Sequence, residues 1–371
     1  MLSNALYRLT REKSLTIAYF GGSITEGGGE NGWRRLTTKW FESRWPEAKI
    51  TEINAAIGGT GTDLGVYRCD RDVIARKPNL TFIEFAVNDS GFAGEHLSRT
   101  TEAIVRKLLA SDPTMEIVFV FTITKQLADG LKNGTPYHSR DIHSAIAAHY
   151  HLPAIDIGTP LSEAADQAEK GWLEYTGDTV HPQAAGYAIK EKALLASLQP
   201  MLEGETPEAP AAYAMPAPLY DSLPVGATLI DAYAAVCAAN PGVSYSTAQP
   251  DTSVGVSWSN LFLHLCHRWP TVIGSNKPGA ELTIRFTGSA LGVYWMMSSD
   301  SGDIDYCIDG GEWKHMSSWD IYCLRFARAG FHMLARNLPE GEHTLTLRVS
   351  EQKNEQSTGH WVRIGAFGVG C

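Results

Sequence analysis

Over its first two hundred residues the chain keeps one rhythm: short runs rich in β-branched and aromatic residues take turns with longer segments of helical period. The runs are LTIAYF at 15–20, KITEINAA at 49–56, LTFIEFAV at 80–87, EIVFVFTI at 116–123 and LPAIDI at 152–157. Amphipathic stretches near 31–45, 62–77, 96–111, 137–150 and 160–170 separate or follow them, and a last one runs over 182–202. Strand and helix in alternation predict βαβ units, and hence an α/β domain with a parallel sheet covered by helices on both faces. Ligands of such sheets bind beyond the carboxyl ends of the strands. The residues that follow each run are therefore where chemistry is to be sought.

The rhythm stops near residue 203. Residues 204–224 carry five prolines among several alanines, which predicts a stiff connector rather than a helix or strand. Beyond it come short alternating segments such as ELTIRFTG, ALGVYWMM, IDYCIDG and HTLTLRVS, spaced by Gly, Pro, Asn and Asp turns, with IDGGEW reading as a hairpin. That texture predicts an antiparallel β-sandwich. The organisation is thus 1–203 for the α/β domain, 204–224 for the linker and 225–371 for the sandwich, in keeping with a length of 371 residues.

A net charge of −10 argues against nucleic acid or an anionic membrane as the main partner, because both reward clustered Lys and Arg. A small or neutral substrate remains, and a homo-oligomer is left open. No run of 18 apolar residues occurs, and Arg8, Arg11, Glu12 and Lys13 interrupt the first twenty residues, unlike a signal peptide. These features predict a cytoplasmic protein. The six cysteines include no C-x-x-C pair and mostly stand among apolar neighbours, which predicts reduced, buried thiols.

At the end of the first strand the chain reads AYFGGSITEGGG, with Ser23 at the turn. A phosphate cradle fails on spacing, since neither a P-loop nor G-x-G-x-x-G is present. A G-x-S-x-G elbow fails as well, because Thr25 stands where its last glycine belongs. Ser23 must therefore be judged by its partners. NAAIGGTG ends the second strand, FAVND the third, and GDTVHP precedes the last helix. Asp178 and His181 lie three apart in that loop. Their spacing allows the carboxylate to hold one imidazole nitrogen while the other faces outward, as a serine triad requires. Gly59 offers an unobstructed N–H, the Asn88 side-chain amide a second donor and the Ser23 N–H a third for an oxyanion.

The ordered set of Ser23 in GGSIT, Gly59 in AIGGTG, Asn88 in AVND, and Asp178 with His181 in DTVHP resembles the four blocks of the SGNH (GDSL-type) hydrolase superfamily over roughly residues 14–200. The resemblance implies a flavodoxin-like three-layer α/β/α fold, a Ser23–His181–Asp178 triad, and Ser23, Gly59 and Asn88 as oxyanion donors, with no cofactor. Two positions depart from the pattern: Gly22 replaces the Asp of GDS, and Ala86 replaces the Gly of GxND.

Plainer roles stand beside these. Ser23 also suits a helix cap and Asn88 with Asp89 an Asx turn, while Gly58 competes with Gly59 as donor. LFLHLCHRW brings His264, Cys266 and His267 together, but in a strand the two histidines face opposite sides, so no metal site is expected. Most tryptophans of the second half read as core. Trp313 and Trp319 stand in the polar stretch DGGEWKHMSSWDIY, which predicts exposed indoles suited to stacking on sugar faces. The sandwich resembles jelly-roll carbohydrate-binding modules in texture. With the SGNH blocks it is similar to two-domain carbohydrate esterases of gut bacteria that deacetylate mannan oligosaccharides. The activity this implies is hydrolysis of O-acetyl esters on a sugar through an acyl-enzyme. A lysophospholipase or thioesterase, and a sugar-binding protein without catalysis, are the alternatives.

Overall fold

The computed structural model describes residues 1–240, 258–262 and 271–370. They divide into two compact units, Met1–Val225 and Gly226–Cys371.

In the first unit the expected runs form strands β1 (Ser14–Gly21), β2 (Lys49–Asn54), β3 (Leu80–Glu84), β4 (Glu116–Phe121) and β5 (Ala154–Asp156). All pairings are parallel, in the order β2-β1-β3-β4-β5. The α-helices are α1 (Ser3–Tyr7), α2 (Ser23–Glu26), α3 (Trp33–Arg44), α4 (Thr62–Asp72), α5 (Gly94–Ser111), α6 (Lys125–Lys132), α7 (His138–His149), α8 (Thr159–Gln167) and α9 (Ala184–Met201). This strand order is that of flavodoxin-like sheets. Alternate strand residues serve opposite faces. Ile17, Tyr19 and Phe82 join the core built with Trp33 and Phe41 of α3 and Leu194 of α9. Phe20 and Phe85 point to the other face, where they stack edge-on, and Phe85 comes near the α4 backbone at Gly65.

The Pro/Ala-rich segment forms no helix or strand, as its composition predicts, but it is not a free connector. Its backbone is fastened to the first unit by buried or partly buried side chains. Asn4 exchanges two hydrogen bonds of 2.8 Å with Ala211, Arg106 donates to the Pro216 carbonyl at 2.9 Å, and Glu102 accepts from the Leu219 and Tyr220 N–H groups at 2.7 and 3.1 Å. Proline lowers the entropy of an open chain without setting where it lies. Partners far away in sequence set that here.

The second unit begins with β6 (Thr228–Asp231) and α10 (Ala232–Ala239). The strands that follow are β7 (Ser259–Phe262), β8 (Thr271–Ser275), β9 (Glu281–Thr287), β10 (Ala290–Met297), β11 (Asp303–Ile308), β12 (Lys314–Ser317), β13 (Arg328–Ala335), β14 (Glu342–Val349) and β15 (Val362–Gly370). They make two antiparallel sheets, β13-β10-β15-β8-β7 with β6 added on β15, and β12-β11-β14-β9. Leu282 and Ile284 of β9 and Leu345 and Leu347 of β14 meet Val293 and Ile364 of the other sheet in one core, which makes this a β-sandwich. The IDGGEW hairpin is present as β11 and β12, with Asp309 and Gly310 both at positive φ (52° and 69°) in its turn.

Among the described residues Cys69, Cys237, Cys307 and Cys323 are free thiols, no helix is long and apolar enough to cross a membrane, and no three His, Cys, Asp or Glu side chains gather as a metal site would require. His264, Cys266 and His267 lie outside the described residues.

Candidate active site

The carboxyl ends of β1, β2 and β3 carry the first three sequence blocks. After β1 the chain must turn sharply while pressed against β3. A Cβ on Gly21 would stand 2.5 Å from the Glu84 carbonyl, so only glycine permits this approach. The Gly22 N–H donates to that same carbonyl at 3.2 Å. Ser23 then opens α2, where a backbone N–H has no intrahelical acceptor.

Gly22, the first departure from the GDS pattern, has a local reason. A Cβ there would overlap the Asn88 side-chain oxygen, so the absence of a side chain lets Asn88 lie against the turn that presents Ser23. Ala86, the second departure, is fully buried, and its carbonyl accepts from Ser139 Oγ at 2.6 Å.

The loop before α9 is held shut by its own backbone. Gly177 N–H donates to the His181 carbonyl at 2.9 Å, and Gln183 N–H to the Tyr175 carbonyl at 2.8 Å. Asp178 Oδ1 accepts from the N–H groups of Val180 and His181 at 2.6 and 2.7 Å. Its Oδ2 stands 2.8 Å from His181 Nδ1, and His181 Nε2 stands 2.9 Å from Ser23 Oγ. Partial burial by itself raises the Asp178 carboxyl, but the bonds from the His181 ring and from the two N–H groups outweigh it and hold the group below the usual carboxylate range. A carboxylate kept ionised in this way fixes the proton on Nδ1 and leaves Nε2 to accept from the serine. The structure thus brings Ser23, His181 and Asp178 into one hydrogen-bonded line.

Gly59 is exposed at φ +72°, in the left-handed region that favours glycine. Gly58 is not equivalent to it, since the Gly58 N–H already donates to Glu26 Oε2 at 2.7 Å.

Three groups are buried near these residues: Arg68 and Glu84, which the sequence blocks do not include, and Asp89, which there suits only an Asx turn. Arg68 of α4 is fully buried between Phe20 and Phe85, with its guanidinium 4.5 Å from the Phe20 ring centroid. It donates to the Gly21 carbonyl at 3.2 Å and to the Ala55 carbonyl, which ties the ends of β1 and β2 together, and Asp72 balances its charge at 3.1 Å. Glu84 accepts from Thr25 Oγ1 and Thr122 Oγ1, each at 2.7 Å. Burial pushes its carboxyl up to about 7, against those hydrogen bonds and the Lys190 cation. Asp89 accepts from Thr62 N–H at 2.9 Å and lies 3.0 Å from His143 Nε2, so the residue after Asn88 joins three elements. A carboxylate inside the apolar run LTFIEFAV was a legible signal for Glu84. Arg68 gave none.

In the second unit the two tryptophans part. Trp313 is 40% exposed, with the Arg348 guanidinium 4.2 Å above its ring. Trp319 is a correction to the sequence reading: it is 8% exposed and belongs to the sandwich core. The two serines before it bond to the backbone. Ser318 Oγ donates to the Gly302 carbonyl at 2.6 Å, and Ser317 Oγ accepts from the Trp319 N–H at 3.2 Å. With the hydroxyls satisfied locally, the indole turns inward.

Residues 19–189 match the model of the GDSL-like Lipase/Acylhydrolase family. The first unit is a domain of that family. It is accordingly a hydrolase of carboxylic esters. Comparison with curated proteins gave no match. Among solved structures the chain is similar to a two-domain esterase (CEX) active on acetylated mannans, at 21% identity and a TM-score of 0.79, covering 100% of this chain and 95% of that one. It is also similar to a two-domain esterase (CEX) active on acetylated mannans co-crystallized with mannopentaose, at 22% identity and a TM-score of 0.76, covering 99% and 95%. At that identity the likeness speaks for the fold, and it extends past the GDSL-like domain through the sandwich.

Proposed function

We propose that the protein is a serine esterase that removes O-acetyl groups from oligosaccharides, with acetylated manno-oligosaccharides as the substrate class. The observation that carries the reading is the Ser23–His181–Asp178 line, at 2.9 and 2.8 Å, in a GDSL-like domain. His181 Nε2 takes the Ser23 proton as Oγ bonds to the acetyl carbonyl carbon. The tetrahedral oxyanion is held by the N–H groups of Ser23 and Gly59 and by the Asn88 amide. Collapse breaks the bond to the sugar oxygen, which leaves with the proton from His181, and acetyl-Ser23 remains. Water then attacks the acetyl carbon with His181 as base, the bond from that carbon to Ser23 Oγ breaks, His181 returns the proton to Oγ, and acetate departs. Asp178 keeps the imidazole oriented and stabilises its cationic form. No step calls for a cofactor.

The choice of sugar is supported by the full-length likeness to an esterase active on acetylated mannans. The test is a comparison of acetate release from acetylated manno-oligosaccharides and acetylated xylo-oligosaccharides, alongside aryl esters of rising acyl length. Preference for acetyl over longer acyl groups, and for the mannan series over the xylan series, is expected. Rates that climb with acyl length would instead make the protein a lipase or thioesterase, and no turnover of any ester would make it a binding protein.

A further inference from the structure

The oxyanion donor of the second block sits in Gly58–Gly59, the most conformationally free dipeptide a chain can have. A donor contributes to catalysis only if it is already in place when charge develops. Something must therefore hold this turn. Upstream, Ile57 N–H donates to the Gly21 carbonyl at 3.0 Å, and Thr60 Oγ1 returns to the Ile57 carbonyl at 2.8 Å. Downstream, Thr62 N–H is taken by Asp89. These bonds pin the flanks, and among the described residues one side chain holds the glycine pair itself. The Gly58 N–H donates to Glu26 Oε2 at 2.7 Å.

Glu26 stands three residues after Ser23 on the same short helix, α2. A Cβ built on Gly58 would lie 3.0 Å from Glu26 Oε2 and 3.4 Å from Ser23 Cβ, so the turn leans on the nucleophile's own helix just where Glu26 grips it. With the first N–H of the pair consumed, Gly59, exposed and at φ +72°, is the glycine left to face a substrate.

We infer that Glu26 is a positioning residue that locks the Gly58–Gly59 turn to the helix of Ser23, so that nucleophile and oxyanion donor are set as one body. The inference rests on the reading of Ser23 as nucleophile and Gly59 as donor. Its chemistry has a particular consequence. A negative charge beside a forming oxyanion opposes the reaction, so the useful property of Glu26 is its acceptor oxygen and not its charge. Glutamine keeps an acceptor at the same reach and drops the charge. Alanine drops both, and aspartate keeps the charge on a stem one methylene too short.

The experiment measures kcat and KM on a small aryl acetate for wild type, Glu26→Ala, Glu26→Asp and Glu26→Gln, with melting temperature as a control for folding. Displacement of a catalytic group by about 1 Å costs roughly 10²-fold. Glu26→Ala and Glu26→Asp are expected to lose about 10- to 100-fold in kcat, with KM within about twofold, while Glu26→Gln keeps kcat at or above the wild-type value. Wild-type kcat in Glu26→Ala overturns the inference, and so does a folded Glu26→Gln as impaired as Glu26→Ala. Should Glu26→Ala fail to fold, the contrast between the Asp and Gln variants decides by the same criterion. Ser23→Ala separates the two levels: wild-type turnover there removes the triad reading itself, whereas an inactive Ser23→Ala beside a fully active Glu26→Ala removes only the role of Glu26.

Discussion

Ser23 Oγ and His181 Nε2 lie 2.9 Å apart although 158 residues separate them in the chain. The contact joins the end of β1 to the loop before α9, and Asp178 completes it from within that loop. Ser23 comes from a turn held against β3 by the Gly22 N–H, whereas Asp178 and His181 share one loop closed by its own backbone, so a change at Ser23 should leave the other two where they are.

On that basis Ser23→Ala should abolish ester hydrolysis down to the residue due to binding and oxyanion contacts. Asp178→Asn should lower kcat by about 10²–10⁴, since the imidazole then loses its fixed tautomer. The double variant should be hardly worse than Ser23→Ala, because groups that act as a unit are not additive. Steady-state kinetics on an aryl acetate checks all three, and a multiplicative double variant would mean that the residues act separately.

Gly22 permits a second prediction. Introducing the family's usual aspartate, Gly22→Asp, puts a Cβ where the Asn88 side-chain oxygen now stands. Asn88 must move away from Ser23, and loss of one oxyanion donor costs about 10²–10³ in rate. The variant should show that loss in kcat, with KM little changed. Unimpaired kcat would place Asn88 outside the oxyanion site.

Glu84 makes stability depend on pH with a definite sign. Its carboxyl stands near 7 in the folded chain against an ordinary value of 4.5. The protonated form is thus favoured on folding. Its stabilisation is complete below about 4.5 and is lost as the pH rises towards 7, by on the order of 3 kcal/mol in total. Glu84→Gln imitates the protonated group and cannot titrate. The melting temperature of Glu84→Gln relative to wild type should therefore rise by several degrees between pH 4.5 and 7.5. A difference that stays constant over this range would show that Glu84 does not ionise there.

The sequence by itself determined the order of elements and the positions of the four motif blocks. A period of two against one of 3.6 separates strand from helix before any packing occurs, and a parallel sheet sends the end of every strand to the same edge. Ser23, Gly59 and Asn88 could be singled out for that reason, each in a short motif after such an end, and Asp178 and His181 by their spacing of three in the loop before the last helix. The tertiary structure decided whatever depended on which polar group found which partner. The Pro/Ala-rich segment shows no periodicity, and it lies along the first unit because Asn4, Glu102 and Arg106, more than a hundred residues away, take its backbone groups. Trp319 looked exposed among serines until those serines bonded the backbone and turned the indole into the core. Gly58 and Gly59 are alike as letters, and the bond from the Gly58 N–H to Glu26 on a neighbouring helix distinguishes them, as does the left-handed φ of Gly59. A buried hydrogen bond is chosen when two distant segments lose their water together, and no local pattern carries that choice.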